Sequence, residues 1–117
     1  MMREDIDKDA LKARLLARAK EIAEAAEAAE EALRPVELDQ GRVGRLSRMG
    51  ELQEHEMALA VHRREQAELK RIEGAMERLA EDEYGDCVSC GAEIGAKRLN
   101  AEPSVPTCID CASRARP

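Results

Sequence analysis

Apolar residues recur along the first third of the chain at alternating spacings of four and three: Leu15, Ala19, Ile22, Ala26, Ala29 and Leu33. This is a heptad seam, and it predicts a helix over about 5–33 that packs against one partner helix. Half of these positions are alanine, which lets the partner approach closely. Asp5, Asp7 and Asp9 suit the N-terminal end of the helix dipole. Arg34-Pro35 stops the helix, because the residue before proline avoids helical geometry. After a connection over 35–39, Asp39 is placed to cap a second helix over about 40–82. The apolar positions of this helix include Val43, Leu46, Met49, Leu52, Leu59, Leu69, Ile72, Met76 and Leu79. Gly41, Gly44, Gly50 and Gly74 each weaken it locally by about 1 kcal/mol relative to alanine.

Two helices joined by so short a connection pack antiparallel. At about 1.5 Å per residue the arms are unequal, near 42 Å and near 65 Å, so the second helix outruns the first. Composition supports long helices with solvated faces and excludes a thick core. Of the 117 residues 44% are apolar and 38% charged, with no Trp, no Phe and one aromatic, Tyr84. No stretch approaches the roughly 20 apolar residues that span a bilayer, so no membrane association is expected.

All four cysteines lie near the C-terminus in two matched pairs, Cys87-Val-Ser-Cys90 and Cys108-Ile-Asp-Cys111, with 17 residues between them. A two-residue gap lets both sulfurs of a pair reach one ion, and Zn²⁺ favours four tetrahedral thiolates. Gly85, Gly91, Pro103 and Pro106 supply turns around the pairs. A redox dithiol would sit at a helix N-terminus in a βαβ unit, which this pattern lacks. Two disulfides would need an oxidising compartment. Residues 1–5 have no apolar run of a secretory signal, so a reduced, cytoplasmic protein is expected. A closed four-thiolate site leaves no open coordination position, so the expected cofactor is one structural Zn²⁺ held by Cys87, Cys90, Cys108 and Cys111. The expected fold is mainly α: a long antiparallel coiled-coil hairpin over 1–83, then a four-cysteine zinc-finger module and short tail over 84–117. Ile94 and Leu99 are the candidate core of the module, whose bound metal would anchor the helix ends.

Direct nucleic-acid binding is not expected. The net charge is −6, and Lys97 and Arg98 are the only basic residues between the cysteine pairs. Phosphate binding needs a concentrated basic surface. The hairpin tip carries Glu37 and Asp39, followed by Arg42, Arg45 and Arg48. Asp39 can simply cap the second helix while the arginines solvate its face. An acidic tip can also reach into a partner's cavity, or Glu37 and Asp39 can pair on Mg²⁺. His55 and His62 lie seven residues apart on one stripe of the second helix and read as flank positions without a function.

The run from Tyr84 through Cys87-Val-Ser-Cys90-Gly91 to Ile94-Gly95, then Arg98-Leu99-Asn100-Ala101-Glu102-Pro103, then Cys108-Ile-Asp-Cys111, resembles the DksA/TraR family of zinc-finger transcription regulators. The resemblance covers the whole zinc module and the order of hairpin before finger. It implies a non-enzymatic regulator, expected to be monomeric. Such a protein binds bacterial RNA polymerase, enters its secondary channel with the coiled coil, and alters open-complex stability without contacting promoter DNA. The family tip has an Asp-x-x-Asp-x-Ala pattern. This chain has Val36-Glu37-Leu38-Asp39-Gln40-Gly41-Arg42-Val43, which leaves Asp39 as the candidate acidic contact, with Glu37 and Arg42 beside it. Members that share a ppGpp site with the polymerase use basic residues around the zinc module. Here Arg71 keeps one, while Glu102 and Ala112 replace two others, so a weak or absent ppGpp response is expected. A transcript-cleavage factor with Mg²⁺ at Glu37 and Asp39, and a coiled-coil adaptor whose zinc finger only caps the hairpin, are the alternatives.

Overall fold

Asp7 sets the start of the first helix. Its carboxylate accepts the Ala10 N–H at 3.1 Å and its backbone is extended, the geometry of an N-cap. In the computed structural model, which describes residues 3–35 and 45–115 (backbone only for 45–48 and 115), α1 therefore spans Lys8–Ala28 instead of beginning near residue 5. It buries Leu11, Leu15 and Ile22. The predicted first arm is interrupted at Ala29 (φ −91°, ψ 0°), and a single turn, α2 Glu30–Leu33, follows. No glycine or proline stands at the interruption, and nothing in its own residues accounts for it. Arg34 then turns extended (φ −66°, ψ 146°) ahead of Pro35, as the proline requires.

The return arm, α3 Arg45–Ala80, has 36 residues and so runs about 54 Å. The tip residues Glu37, Asp39 and Arg42 and the predicted start of this helix near residue 40 lie outside the described residues. Its end is fixed by a Schellman motif. Asp82 occupies the left-handed region (φ 59°), Glu83 N–H bonds to Arg78 O at 2.8 Å, and Asp82 N–H reaches Leu79 O at 3.4 Å. Glycine usually takes that position; aspartate tolerates it better than most residues. Here its carboxylate also receives Lys8 Nζ at 3.1 Å, which ties the end of α3 to the start of α1. Together with Arg18–Glu68 and His55–Ala32 contacts further along, this pairing makes the two arms antiparallel.

Two short helices complete the fold, α4 Ala96–Ala101 and α5 Ile109–Ala115. Among the described residues no strand forms; one isolated bridge joins Asp86 and Glu93. The fully buried residues all gather at one end. Ile6, Leu11, Leu15 and Ile22 meet Ile72 and Ala75 of α3 and Tyr84, Ile94, Leu99 and Val105 of the zinc module in a single cluster. The radius of gyration, 19.3 Å, well exceeds the roughly 13 Å of a compact chain this long, because the hairpin projects from that cluster.

Arg18 and Glu68 pin the arms between the buried Leu15 and Ile22 with a two-point fork, Nε to Oε2 at 2.7 Å and Nη2 to Oε1 at 2.9 Å. The hydrogen bonds from Arg18 hold the Glu68 carboxyl below its ordinary range, against a smaller opposing effect of burial. A depressed carboxylate contributes stability above its unfolded-state value near 4.5, and that contribution disappears as pH falls through the folded value. Thermal melts should therefore show wild type more stable than Glu68→Gln at pH 7, with the difference closing as pH drops from about 5 toward 3. A difference that stays constant over this range would show that the charge on Glu68 contributes nothing to stability.

Candidate metal centre

The first cysteine pair rides on a tight loop. Ile94 N–H bonds to Gly85 O at 2.8 Å, Cys87 N–H to Ala92 O at 2.7 Å, and Gly91 N–H to Cys87 O at 2.9 Å. Gly85 (φ 104°) and Gly91 (φ 78°) adopt the left-handed geometry that closes this loop, which side chains rarely tolerate. The second pair opens α5: Cys108 precedes its first residue, and Ala112 N–H bonds to Cys108 O at 3.0 Å. Two contacts bring the pairs together. Val88 N–H donates to Pro106 O at 2.9 Å, and Arg98 Nε donates to Thr107 O at 3.0 Å.

The four Sγ atoms consequently lie within 4.8 Å of one another, with Cys90 and Cys108 at 3.7 Å. A tetrahedron with Zn–S bonds of about 2.3 Å has edges of about 3.8 Å, so the Cys90–Cys108 separation matches one edge and the cluster as a whole is near the size that a zinc ion needs. Cys87 is buried, Cys90 exposed and the other two partly covered. Their crowding splits their acidities. The Cys108 backbone N–H lowers Cys87 to about 6 against the effect of desolvation, whereas the neighbouring Cys108 sulfur, followed by those of Cys90 and Cys87, pushes Cys111 up to about 12. The thiols cannot all ionise together unaided, and a bound dication supplies the compensating charge. The centre is a C4 site for one structural zinc.

The module is fastened to the hairpin chiefly by Arg3 and Arg14, which the sequence did not single out, and it is braced internally by Tyr84. Arg3 reaches across from the N-terminal segment: Nη1 donates to Ile94 O at 2.7 Å and Gly85 O at 3.2 Å, and Nε lies 2.7 Å from Glu93. Asp5 holds the same guanidinium from the other side, at 2.8 Å. Arg14 of α1 donates to Asn100 O at 2.7 Å. Tyr84, buried, donates its hydroxyl to Pro103 O at 2.7 Å, and burial raises its pKa. Arg71 of α3 lies 3.4 Å from Glu102, an ion pair without hydrogen-bond geometry. A lone arginine near a terminus carries no pattern that marks such a role.

The family model of the prokaryotic dksA/traR C4-type zinc finger matches residues 82–117, which hold all four cysteines. The resemblance extends past the module, since transcription factor DksA2 from Pseudomonas aeruginosa superposes with a TM-score of 0.69 over 92% of this chain and 81% of that one, at 26% identity. Residues 82–117 form a zinc finger of the DksA/TraR type, and the hairpin before them has the arrangement of DksA2. A DnaK suppressor protein from Agrobacterium tumefaciens C58 shares the same arrangement, with a TM-score of 0.62 and 25% identity over 92% of this chain and 93% of that one. In sequence, this chain is 39% identical over 61 residues to the RNA polymerase-binding transcription factor DksA of Escherichia coli (strain K12). The corresponding protein of Haemophilus influenzae is 41% identical over 61 residues. Each alignment takes in 50% of this chain but only 40% and 42% of the relative.

Replacing Cys90 with serine should abolish stoichiometric zinc and unfold the base, measured by metal analysis and by helicity. Arg3→Ala should keep the zinc but lower unfolding free energy by about 2 kcal/mol, because two module carbonyls lose their donors. Urea titrations of the zinc-loaded proteins check this, and an unchanged midpoint would remove Arg3 from the fastening.

Proposed function

We propose that this protein regulates transcription by binding bacterial RNA polymerase, entering its secondary channel with the helical hairpin and altering open-complex stability. The observation that carries the reading is the hairpin itself: an arm about 54 Å long, anchored at one end by a zinc module, in an arrangement also present in DksA2. The named relatives at about 40% identity support the choice of polymerase as partner. The role is non-catalytic, since a closed four-thiolate zinc has no position for a substrate. It needs no contact with DNA: the chain carries a net charge of −6, and Arg98 already spends its Nε on Thr107 O. The protein acts in the cytoplasm as a monomer, with Leu11, Leu15, Ile22 and Ile72 of its apolar seam already buried within the hairpin. Among the described residues no helix is long and apolar enough to cross a membrane.

Asp39 is the proposed acidic contact at the tip, with Glu37 and Arg42 beside it. Glu102 beside Arg71 supports a weak response to ppGpp, because its carboxylate stands next to the cation that an anionic ligand would need.

Zinc-loaded protein should bind polymerase core and be displaced by a known secondary-channel factor. No binding by a protein with full zinc and helicity would favour the adaptor reading. Asp39→Asn should retain this binding and lose most of the effect on promoter output in transcription assays. Adding ppGpp to a polymerase that lacks its own independent site should change that output little, and a strong synergy would contradict the role given to Glu102.

A further inference from the structure

Beyond Ile22 the interface between the arms thins. Ala25, Ala26 and Ala29 on one side and Ala58 and His62 on the other are only partly covered, and among the described residues no position on either arm past this point is fully buried. Small side chains bury little area, so packing constrains the arms weakly there. One hydrogen bond crosses between the arms at this end among the described residues: the His55 ring Nδ1 lies 3.1 Å from the carbonyl oxygen of Ala32. That oxygen can only accept, so Nδ1 carries the proton and donates.

Ala32 stands in the last turn of α2, where carbonyls run out of helical partners. Arg34 N–H is committed to Glu31 O at 3.2 Å, and Pro35 has no N–H to offer. His55 donates to the Ala32 carbonyl from the opposite helix. A glycine or asparagine cap would end the helix just as well. A cap borrowed from α3 also fixes the end of one arm against the other. Roughly 13 residues, or about 20 Å of α3, separate it from the Arg18–Glu68 fork, so the two tethers bracket the thin part of the interface.

We infer that His55 is a positioning residue for the tip: by capping α2 from α3 it fixes the point and direction from which the chain leaves for residues 36–44. The inference rests on the proposal that the tip acts inside polymerase, and it adds a residue to that reading that no tip pattern contains. Removing the cap leaves the core and the zinc module untouched, since His55 touches neither. The loss should therefore fall on what the tip does and not on how tightly the base holds.

The test uses the zinc-loaded full chain and the variants His55→Ala, His55→Leu and His55→Asn. Asparagine keeps an N–H close to where the imidazole Nδ1–H stood; leucine keeps bulk without a donor. Hydrogen exchange by NMR reads the Leu33 and Arg34 amides, with Leu15 and Ile72 as internal controls. Exchange at Leu33 and Arg34 should quicken about five- to tenfold in the alanine and leucine variants and return toward wild type in the asparagine variant, with the controls unchanged. In the wild type, ring ¹⁵N shifts should show the proton on Nδ1. Equal exchange in all four proteins, or a bare Nδ1, would overturn the inference without reference to polymerase. In the functional arm the alanine and leucine variants should bind polymerase with unchanged Kd yet lose promoter regulation, again restored by asparagine. Normal regulation by the alanine variant would refute the positioning role even if the cap is real. Failure of wild type to bind polymerase at all would instead sink the proposed function and leave the exchange result standing.

Discussion

Four thiolates cannot share a space a few ångströms across unless a dication neutralises them, and the base of this protein is organised around that requirement. The metal fastens a loop whose own apolar content is slight: Ile94, Leu99 and Val105, with Cys87 itself buried beside them. Once closed, the module presents these residues to the hairpin, and Leu11, Leu15, Ile72 and Ala75 complete the same cluster from the other side. Neither half has enough large side chains to form a core alone, which is the physical reason for joining them. Arg3 and Tyr84 then satisfy partly buried module carbonyls that would otherwise lose their water without a partner, and Arg14 adds an exposed bond to Asn100 O.

From that base the hairpin becomes progressively less constrained. Leucine and isoleucine occupy the seam near the module, the dense region ends at Ile22, one turn past the Arg18–Glu68 fork, and alanine dominates the first arm beyond it. The gradient separates two tasks. A stiff root sets where the arm points, while a lightly packed end leaves local polar contacts to decide its final geometry. The interruption at Ala29 lies in this lightly packed stretch, where few contacts oppose a departure from regular helix.

The parts of the structure legible in the sequence were those encoded by spacing. The cysteine pairs specify their own convergence, because two residues is the gap that brings both sulfurs to one ion. The alternating threes and fours of Leu15, Ala19 and Ile22 specify a seam. What escaped was which residues cap the helices, and whatever depends on residues distant in the chain. Leu11 continues the seam by another turn, yet it is Asp7, through its side-chain bond to Ala10, that decides where the helix begins. Asp82 gives no hint of a left-handed residue, since aspartate is common in helices' surroundings; only the Schellman bonds and Lys8 reveal it. Arg3 and His55 look like ordinary surface residues until folding brings backbone carbonyls from 91 and 23 residues away within reach.

The solitary aromatic has an optical consequence. With no tryptophan in the chain, ultraviolet emission comes from Tyr84 alone, and that ring lies buried where hairpin and module meet, its hydroxyl tied to Pro103. Undocking the module would expose the ring to water, while the hydroxyl bond, internal to the module, stays in place. The protein thus carries a native fluorophore at its one critical joint, and its intensity reports the joint with no label attached.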